Sequence, residues 1–488
     1  MGLCVAASAC GSTVPRAQIE AAQRQNPSGL GGVPAPTSTL PGASLPPGVA
    51  PPAGQLPPGV TQGPGGTITS TGGTPLVGVT GTTFYFGAFY QVNQGTVNEG
   101  IGGGGLDSGD SRKAYNALIE QINAQGGLAG RKIVPIYHRI DVASTETADQ
   151  QDQRACDLWF QDNKVAVVTL SGSVVDECVK KAGAFNVGGA IAGGHSASLP
   201  ATYTRYPHRI DISAMNMIRI GDVTLDGLAK FGYFGADDRI GIVTWNDPGY
   251  HEAVEKGYVP ALRRYGRSLA LPPAYVRMPQ TANEIGQTSA DVGAAVLRFK
   301  TQDVTHVLIL DGPAGACGGG CITLEWLQQS QAQQFFPQYG LNDSSSARGL
   351  YEQGLLPERQ LRRSLSVGWT TLDTTYDAGW QTNQVRERCL ALMRQNDIEV
   401  TNLNQQLTVL SACSELWFLQ ATVNRIRGPL TQESFLASIN TLAYGWLSPG
   451  SYYSYFGPGR HDGAAGIRVQ RFEESCSCFR YLSTPYRV

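Results

Sequence analysis

"AYNALIEQINAQGGLAGRKIVPIY", Ala114 to Tyr137, starts as a helix, stops at two glycines and restarts as a strand. Tyr115, Leu118, Ile119 and Ile122 fall at i, i+3, i+4 and i+7, which puts one apolar stripe on a helix. Gly126 and Gly127 suit a left-handed cap, because glycine has no Cβ to clash at positive φ. Ile133, Val134, Ile136 and Tyr137 then read as a strand of a sheet covered by helices. The stretch is therefore an αβ unit, and the fold depends on whether such units recur.

They recur only in part of the 488 residues. No charged residue occurs from Gln25 to Asn98. Gly31 to Thr80 is dense in Gly, Pro, Ser and Thr, and "LPPGV" appears at Leu45–Val49 and again at Leu56–Val60. Such text lacks the large apolar side chains that offset ordering entropy, so residues 11–80 read as a disordered tether. As a coil it would reach about 45 Å. Ahead of it, "LCVAASACGS" resembles the end of a bacterial lipoprotein signal. That reading makes residues 1–10 a signal ending at the lipidated Cys10, with the folded part held above a membrane. The net charge of −2 gives no electrostatic case for nucleic acid.

From Gly81 on, helices and strands alternate. Strand text at Thr82–Tyr90 precedes the opening helix and the Ile133 strand. A helix at Ala148–Phe160, a strand and loop at Lys164–Ser173, a helix at Asp176–Phe185, and strands at Gly188–Gly194 and His208–Ser213 follow. A second series has helices at Met215–Phe231, Tyr250–Tyr265, Ala290–Phe299 and Ile322–Ser330. Its strands are Arg239–Trp245, Ala274–Arg277 and His306–Gly312. Such alternation argues for parallel sheets between helices, and two series argue for two lobes.

Ligands of open parallel sheets sit beyond the strands' carboxyl ends. The loops there are "LSGSVVDE", "AGGHSASL", "WNDPGYHE", "LDGPAGA" and "GLNDSSS". Hydroxyls, glycines, an aromatic and carboxylates gather in them, as in a polar small-molecule site. Turns favour the same residues; their recurrence at equivalent strand ends tips the reading toward a site.

Eight cysteines lie beyond Cys4 and Cys10, an even number that suits an oxidising compartment. We pair Cys156 with Cys178 and Cys389 with Cys413, each across neighbouring helical segments. The pairing of Cys317, Cys321, Cys476 and Cys478 stays open. "CGGGC" and "CSC" lack the companion ligands of a zinc site, so no metal is expected.

The opening stretch resembles the first helix and second strand of type I periplasmic solute-binding proteins, in the branched-chain amino acid receptor branch of ABC importers. "VAVVTLSGS", "AIAGGHSASL", "PHRIDIS", "WNDPGYHEAVEKGYVPALRRYG" and "YFGPGRHDGAAGIRVQRF" match further family segments in order. The resemblance implies an α/β two-lobed flytrap, each lobe a parallel sheet sandwiched by helices, with three hinge crossovers. Lobe I would comprise residues 81–211 and 375–445, and lobe II 212–374 and 446–488. It implies an extracytoplasmic, lipid-anchored protein that captures an amino acid or related small carboxylate or amide. ABC permease subunits would be its partners, with no cofactor. Ser171 and Ser173 would bind a ligand carboxylate, helped by backbone N–H groups near Ser196. Gly194, His195 and Ser196 would line the fourth-strand loop. Tyr250 would reach in from lobe II, and Asp247 or Asp311 would meet a ligand ammonium.

A sensing receptor of the same fold without a transporter is the alternative. A hydrolase fits less well. Gly109-Asp110-Ser111 is similar to the nucleophile block of GDS-type esterases, but a helix follows at once, and Ser111 reads as its cap. Gly100, Gly102 and Gly105 satisfy G-x-G-x-x-G only within a glycine run, and no acidic partner stands where a dinucleotide fold needs it. No catalytic residue is assigned.

Overall fold

The computed structural model describes residues 56–95, 107–169, 172–188, 198–312, 320–342, 346–371 and 383–488. The opening stretch forms helix α1 (Ser111–Ala124) and leads into strand β4 (Lys132–Asp141). Asp110, not Ser111, caps α1 by accepting the Arg112 N–H at 3.0 Å. Ser111 lies in the first turn, and its hydroxyl donates to the Phe89 carbonyl at 2.9 Å. At the far end the Gly127 N–H reaches the Ile122 carbonyl at 2.9 Å. Gly126 and Gly127 have φ of 100° and 73°, and a Cβ on Gly127 would strike the Arg131 carbonyl.

Around this unit the chain builds a five-stranded parallel sheet. Strands β1 (Val60–Gln62) and β2 (Ile68–Ser70) come first, then β3 (Thr83–Val92). After β4 come α2 (Ala148–Cys156), β5 (Val167–Val168), α3 (Ser173–Ala182), β6 (Phe185–Gly188), α4 (Pro200–Arg205) and β7 (Arg209–Asp211). The order is β4-β3-β5-β6-β7. The sequence places Phe185 at the end of a helix and a strand over Gly188–Gly194; β6 instead begins at Phe185, and residues 189–194 lie outside the described residues. Phe185 and Val187 are buried and β-favouring, and the left-handed Gly183 ends α3 before them. Side chains alternate across the sheet: Phe84 and Phe86 join one core, while Tyr85 packs with Trp159 and Val168 on the other face.

A second sheet follows, with α5 (Met217–Lys230), β8 (Ile240–Trp245), α6 (Pro248–Ala253), α7 (Val259–Arg264), β9 (Ala274–Val276), α8 (Ile285–Thr301), β10 (His306–Ile309), α9 (Cys321–Ala332), β11 (Gln338–Leu341), α10 (Ser346–Glu352), α11 (Glu358–Leu361) and β12 (Leu365–Gly368). Helices α12 (Gln384–Gln395), α13 (Leu403–Val423) and α14 (Gln432–Asn440), with β13 (Ile426–Arg427), return to the first core. Helix α13 is apolar nearly all round and runs through that core. Strands β14 (Gly466–Glu473), β15 (Cys478–Tyr481) and β16 (Tyr486–Arg487) finish the second sheet, ordered β15-β14-β12-β11-β10-β8-β9. It is parallel from β12 to β9, but β14 and β15 add an antiparallel edge, so this sheet is mixed. Trp245, Phe299, Trp326 and Tyr339 anchor its core.

The tether reading is corrected for residues 56–80. Strand β2 pairs with β13 and β1 with β2, and Val60, Ile68 and Leu76 are buried against the first core. The Ile68 N–H bonds the Arg425 carbonyl at 2.9 Å, and the Leu76 N–H bonds the Leu430 carbonyl at 3.1 Å. Three spaced apolar residues suffice because their partners lie far along the chain and already form a face. Ile68→Val should therefore cost about 1 kcal/mol in chemical unfolding; a free tether would show no change.

Cys156 is bonded to Cys178, across α2 and α3, and Cys389 to Cys413, across α12 and α13. Cys476 pairs with Cys478, and Cys321 is also disulfide-bonded. No helix of the described residues is long and apolar enough to cross a membrane.

Candidate functional site

The site begins at the hinge. The chain passes from the first core to the second after Ile212, back between Trp369 and Cys389, and forward again between Phe456 and Ala464. Phe456 thus belongs to the first core, past the boundary expected at 445, because its ring packs on Phe418 at 5.0 Å. The three crossings are bonded together. The Asp211 N–H donates to the His461 carbonyl, and the Gly463 N–H to the Asp211 carbonyl, both at 2.8 Å. Thr370 bridges Ser451, and the Asn383 amide donates to the Ser448 and Ser451 carbonyls at 2.9 Å each. Asp462 accepts from the Asn216 N–H and from Arg219. Beneath the hinge, Arg209 lies between Asp176 (2.5 Å) and Asp211 (3.2 Å), all three buried.

Two sets of strand ends therefore sit on either side of one hinge. On the second lobe, β8 ends at Trp245, and Asp247 caps α6 by accepting the Gly249 N–H at 2.8 Å. Tyr250 is buried in the first turn of that helix. Its hydroxyl lies where a Cβ on Gly312 would stand, so glycine is needed there. Burial, then the charges of Asp311 and Asp247, push the Tyr250 hydroxyl well above its usual range. Asp311 is buried and committed. Its Oδ1 accepts the Gly312 N–H at 2.8 Å, and Oδ2 accepts the Thr323 N–H at 2.9 Å and hydroxyl at 2.6 Å. Asp247, Tyr250 and Asp311 are thus brought together. Only Asp247, half-buried, keeps an oxygen without a bonded donor among the described residues.

On the first lobe, Asp110 holds Arg112 through both carboxylate oxygens, at 2.7 to 3.1 Å. The Arg112 bond holds the Asp110 carboxyl below its ordinary range. Arg112 also covers the Tyr90 ring at 3.9 Å. This ion pair at the mouth of α1 was not foreseen; the i, i+2 spacing reads as a loop charge pair. Asp152 sits over Gly172, where any Cβ would strike its Oδ2. Burial, then Asp149 and Asp176, push its carboxyl up to about 7.

Of the sequence-predicted positions, Ser171, Gly194, His195 and Ser196 lie outside the described residues, as do Cys10 and the Gly100–Gly105 run. Ser173 is exposed in the first turn of α3. It faces a groove of 880 Å³ between α2 and α3, beside Gln153, Glu177 and the Cys156–Cys178 bond, and is not grouped with Tyr250. The lobes also meet at α10. A Cβ on Gly349 would lie 2.8 Å from Leu403 Cδ2, the first residue of α13.

No known family profile matches the chain, and no curated protein matches it. Solved structures do match its fold. A possible leucine/isoleucine/valine-binding protein from Rhodopirellula baltica SH 1 superposes with a TM-score of 0.57 at 14% identity, covering 82% of this chain and 96% of that one. A periplasmic binding protein type 1 from Bordetella pertussis Tohama I gives 0.56 at 16% identity, over 83% and 100%. A solute-binding protein of an ABC transporter from Rhodopseudomonas palustris HaA2, in complex with p-hydroxybenzoic acid, gives 0.55 at 13%, over 83% and 97%. The chain has the α/β two-lobed fold of type I periplasmic binding proteins.

Proposed function

We propose that this chain captures a small polar solute, an amino acid or a related small acid or amide, between its lobes and passes it to the permease of an ABC importer. The observation that carries the reading is the hinge: three bonded crossings join two separate sheets at the level of their strand ends. In this reading lobe I is residues 81–211 with 375–445, extended by the 56–80 strap and by the chain as far as Phe456, and lobe II is 212–374 with the chain from Ala464 to Val488. Ligand adds contacts that only the closed form offers, so it shifts the population toward closure without covalent chemistry. Ser171 and Ser196, with Gly194 and His195 in the same loops, hold the ligand from lobe I. Tyr250 holds it from lobe II, and Asp247 meets an ammonium. Asp311 organises the loop that supports Tyr250, since its oxygens are committed. The disulfides support an extracytoplasmic location, and Cys10 is the proposed lipid anchor.

A panel of amino acids, aromatic and aliphatic acids and their amides should contain a solute that raises the melting temperature. At a hundred times its Kd such a solute adds about 2.7 kcal/mol. Ser171→Ala combined with Tyr250→Ala should abolish the shift while the unliganded protein still melts cooperatively. Gly312→Ala, which displaces the Tyr250 hydroxyl, should weaken binding about tenfold, roughly one hydrogen bond. Unchanged binding in both variants would place the solute elsewhere.

A further inference from the structure

We propose that Arg348 is the lobe II anchor for a carboxylate on the solute. The proposal rests on the solute-capture reading and names a residue and a ligand class that this reading lacks. Three observations carry it. First, Arg348 is 6% exposed, although it is the one charged residue among Ala347–Leu350, a run buried throughout. Second, its Nη1 is buried and has no hydrogen-bond partner, while its Nε bonds Glu352 Oε1 at 2.7 Å. Third, its helix touches the opposite lobe, where Gly349 admits Leu403.

Helical spacing orients the side chain. Ala347 and Leu350 pack into the lobe II core, with Tyr351 against it. Gly349 takes the face toward Leu403. Arg348 and Glu352, at i and i+4, share the flank between those two faces. A buried guanidinium with an idle donor is expensive unless something accepts from it. A charged acceptor is the fitting one, because guanidinium and carboxylate match in shape and charge. Glu352 already offsets much of the positive charge, so the site suits a monoanion better than a doubly charged phosphate. A solute with a carboxylate at one end would then be held by Arg348, with its other polar groups facing Tyr250 and Asp247.

The test uses the full chain and a thermal-shift and calorimetry panel. It contains L-leucine, p-hydroxybenzoate and other small acids, their amides, inorganic phosphate and neutral sugars. At least one acid should bind, and its amide at least tenfold more weakly. Arg348→Met should weaken that acid roughly 10- to 100-fold, the loss of one charge-assisted bond, and should bind acid and amide alike. Arg348→Lys should fall between. Glu352→Gln, which leaves the arginine in place and removes its competitor, should tighten acid binding; this variant keeps the test open if Arg348→Met folds poorly. If the only stabilising solutes lack an anionic group, or if Arg348→Met and Glu352→Gln both bind the acid within threefold of the parent, Arg348 is not the anchor and solute capture still stands. If no solute of any class stabilises the protein, the capture reading fails and the anchor fails with it.

Discussion

Replacing Arg209 by methionine should cost the folded protein about 3–5 kcal/mol at neutral pH. Arg209 is 7% exposed between Asp176 and Asp211, at 2% and 0%. Its Nη1 donates to Asp176 at 2.5 Å and its Nε to Asp211 at 3.2 Å. Burial works against its charge, and the two aspartates more than offset that. Asp211 also accepts from the hydroxyls of Ser198 at 2.7 Å and Tyr203 at 2.6 Å, while Asn186 donates to Asp176 at 2.7 Å. Methionine fills the space but leaves two buried carboxylates without their cation. Burial already pushes Asp176 up even with Arg209 beside it. The stranded acid can therefore take up a proton, and the loss should shrink as pH falls toward 5. Adding Asp176→Asn and Asp211→Asn to Arg209→Met should recover part of the stability. A loss under about 1 kcal/mol at pH 8 would mean that water reaches the pair, as it does at surface salt bridges. Because Asp211 also bonds the third crossing, the same variant should loosen the hinge.

The second large effect concerns Glu415 in the middle of α13. It is 3% exposed, and the Tyr115 hydroxyl donates to it at 2.5 Å. Burial pushes its carboxyl from 4.5 up to about 8, partly opposed by the Tyr115 bond. An acid with a raised folded-state pKa binds its proton more tightly when folded. Its contribution is fully present below about pH 4.5 and is lost as pH rises through about 8. Asp152, raised to about 7, acts in the same direction. Stability should thus decline from pH 5 to pH 9. Glu415→Gln keeps an acceptor for Tyr115 but has no proton to lose. At pH 9 it should be more stable than the parent by roughly 3–5 kcal/mol, and at pH 4.5 the two should be close. Parallel pH profiles for parent and variant would show that Glu415 stays ionised in the folded chain.

The order of elements was legible because the signals are local. The stripe from Tyr115 to Ile122, the glycines at 126 and 127 and the run from Ile133 each act within a few residues, and α1 and β4 form where they indicate. The strap from Leu56 to Thr80 was not legible. Its Val60, Ile68 and Leu76 are sparse in Gly/Pro-rich text, and they gain stability only from partners near Arg425 and Leu430. The site divides the same way. Asp247 and Tyr250 follow a strand end directly, and the structure groups them. Ser173 looked equivalent by composition, yet a helical turn aims it at the α2–α3 groove. Asp311 looked like a free acid because Thr323, which occupies it, lies on the next helix. Arg348 lies outside every segment that carried the site reading; its burial and the contact of its helix with Leu403 distinguish it.

The central claim is that solute binding closes two lobes about the three-stranded hinge. Labels at Lys113 on α1 and Lys256 beyond α6, both exposed and one on each lobe, report it through their distance distribution. A stabilising solute should draw the distribution to a shorter, narrower distance, and Tyr250→Ala with Ser171→Ala should keep it at the unliganded value. Saturating binding of that solute with no change in the distance would contradict the account.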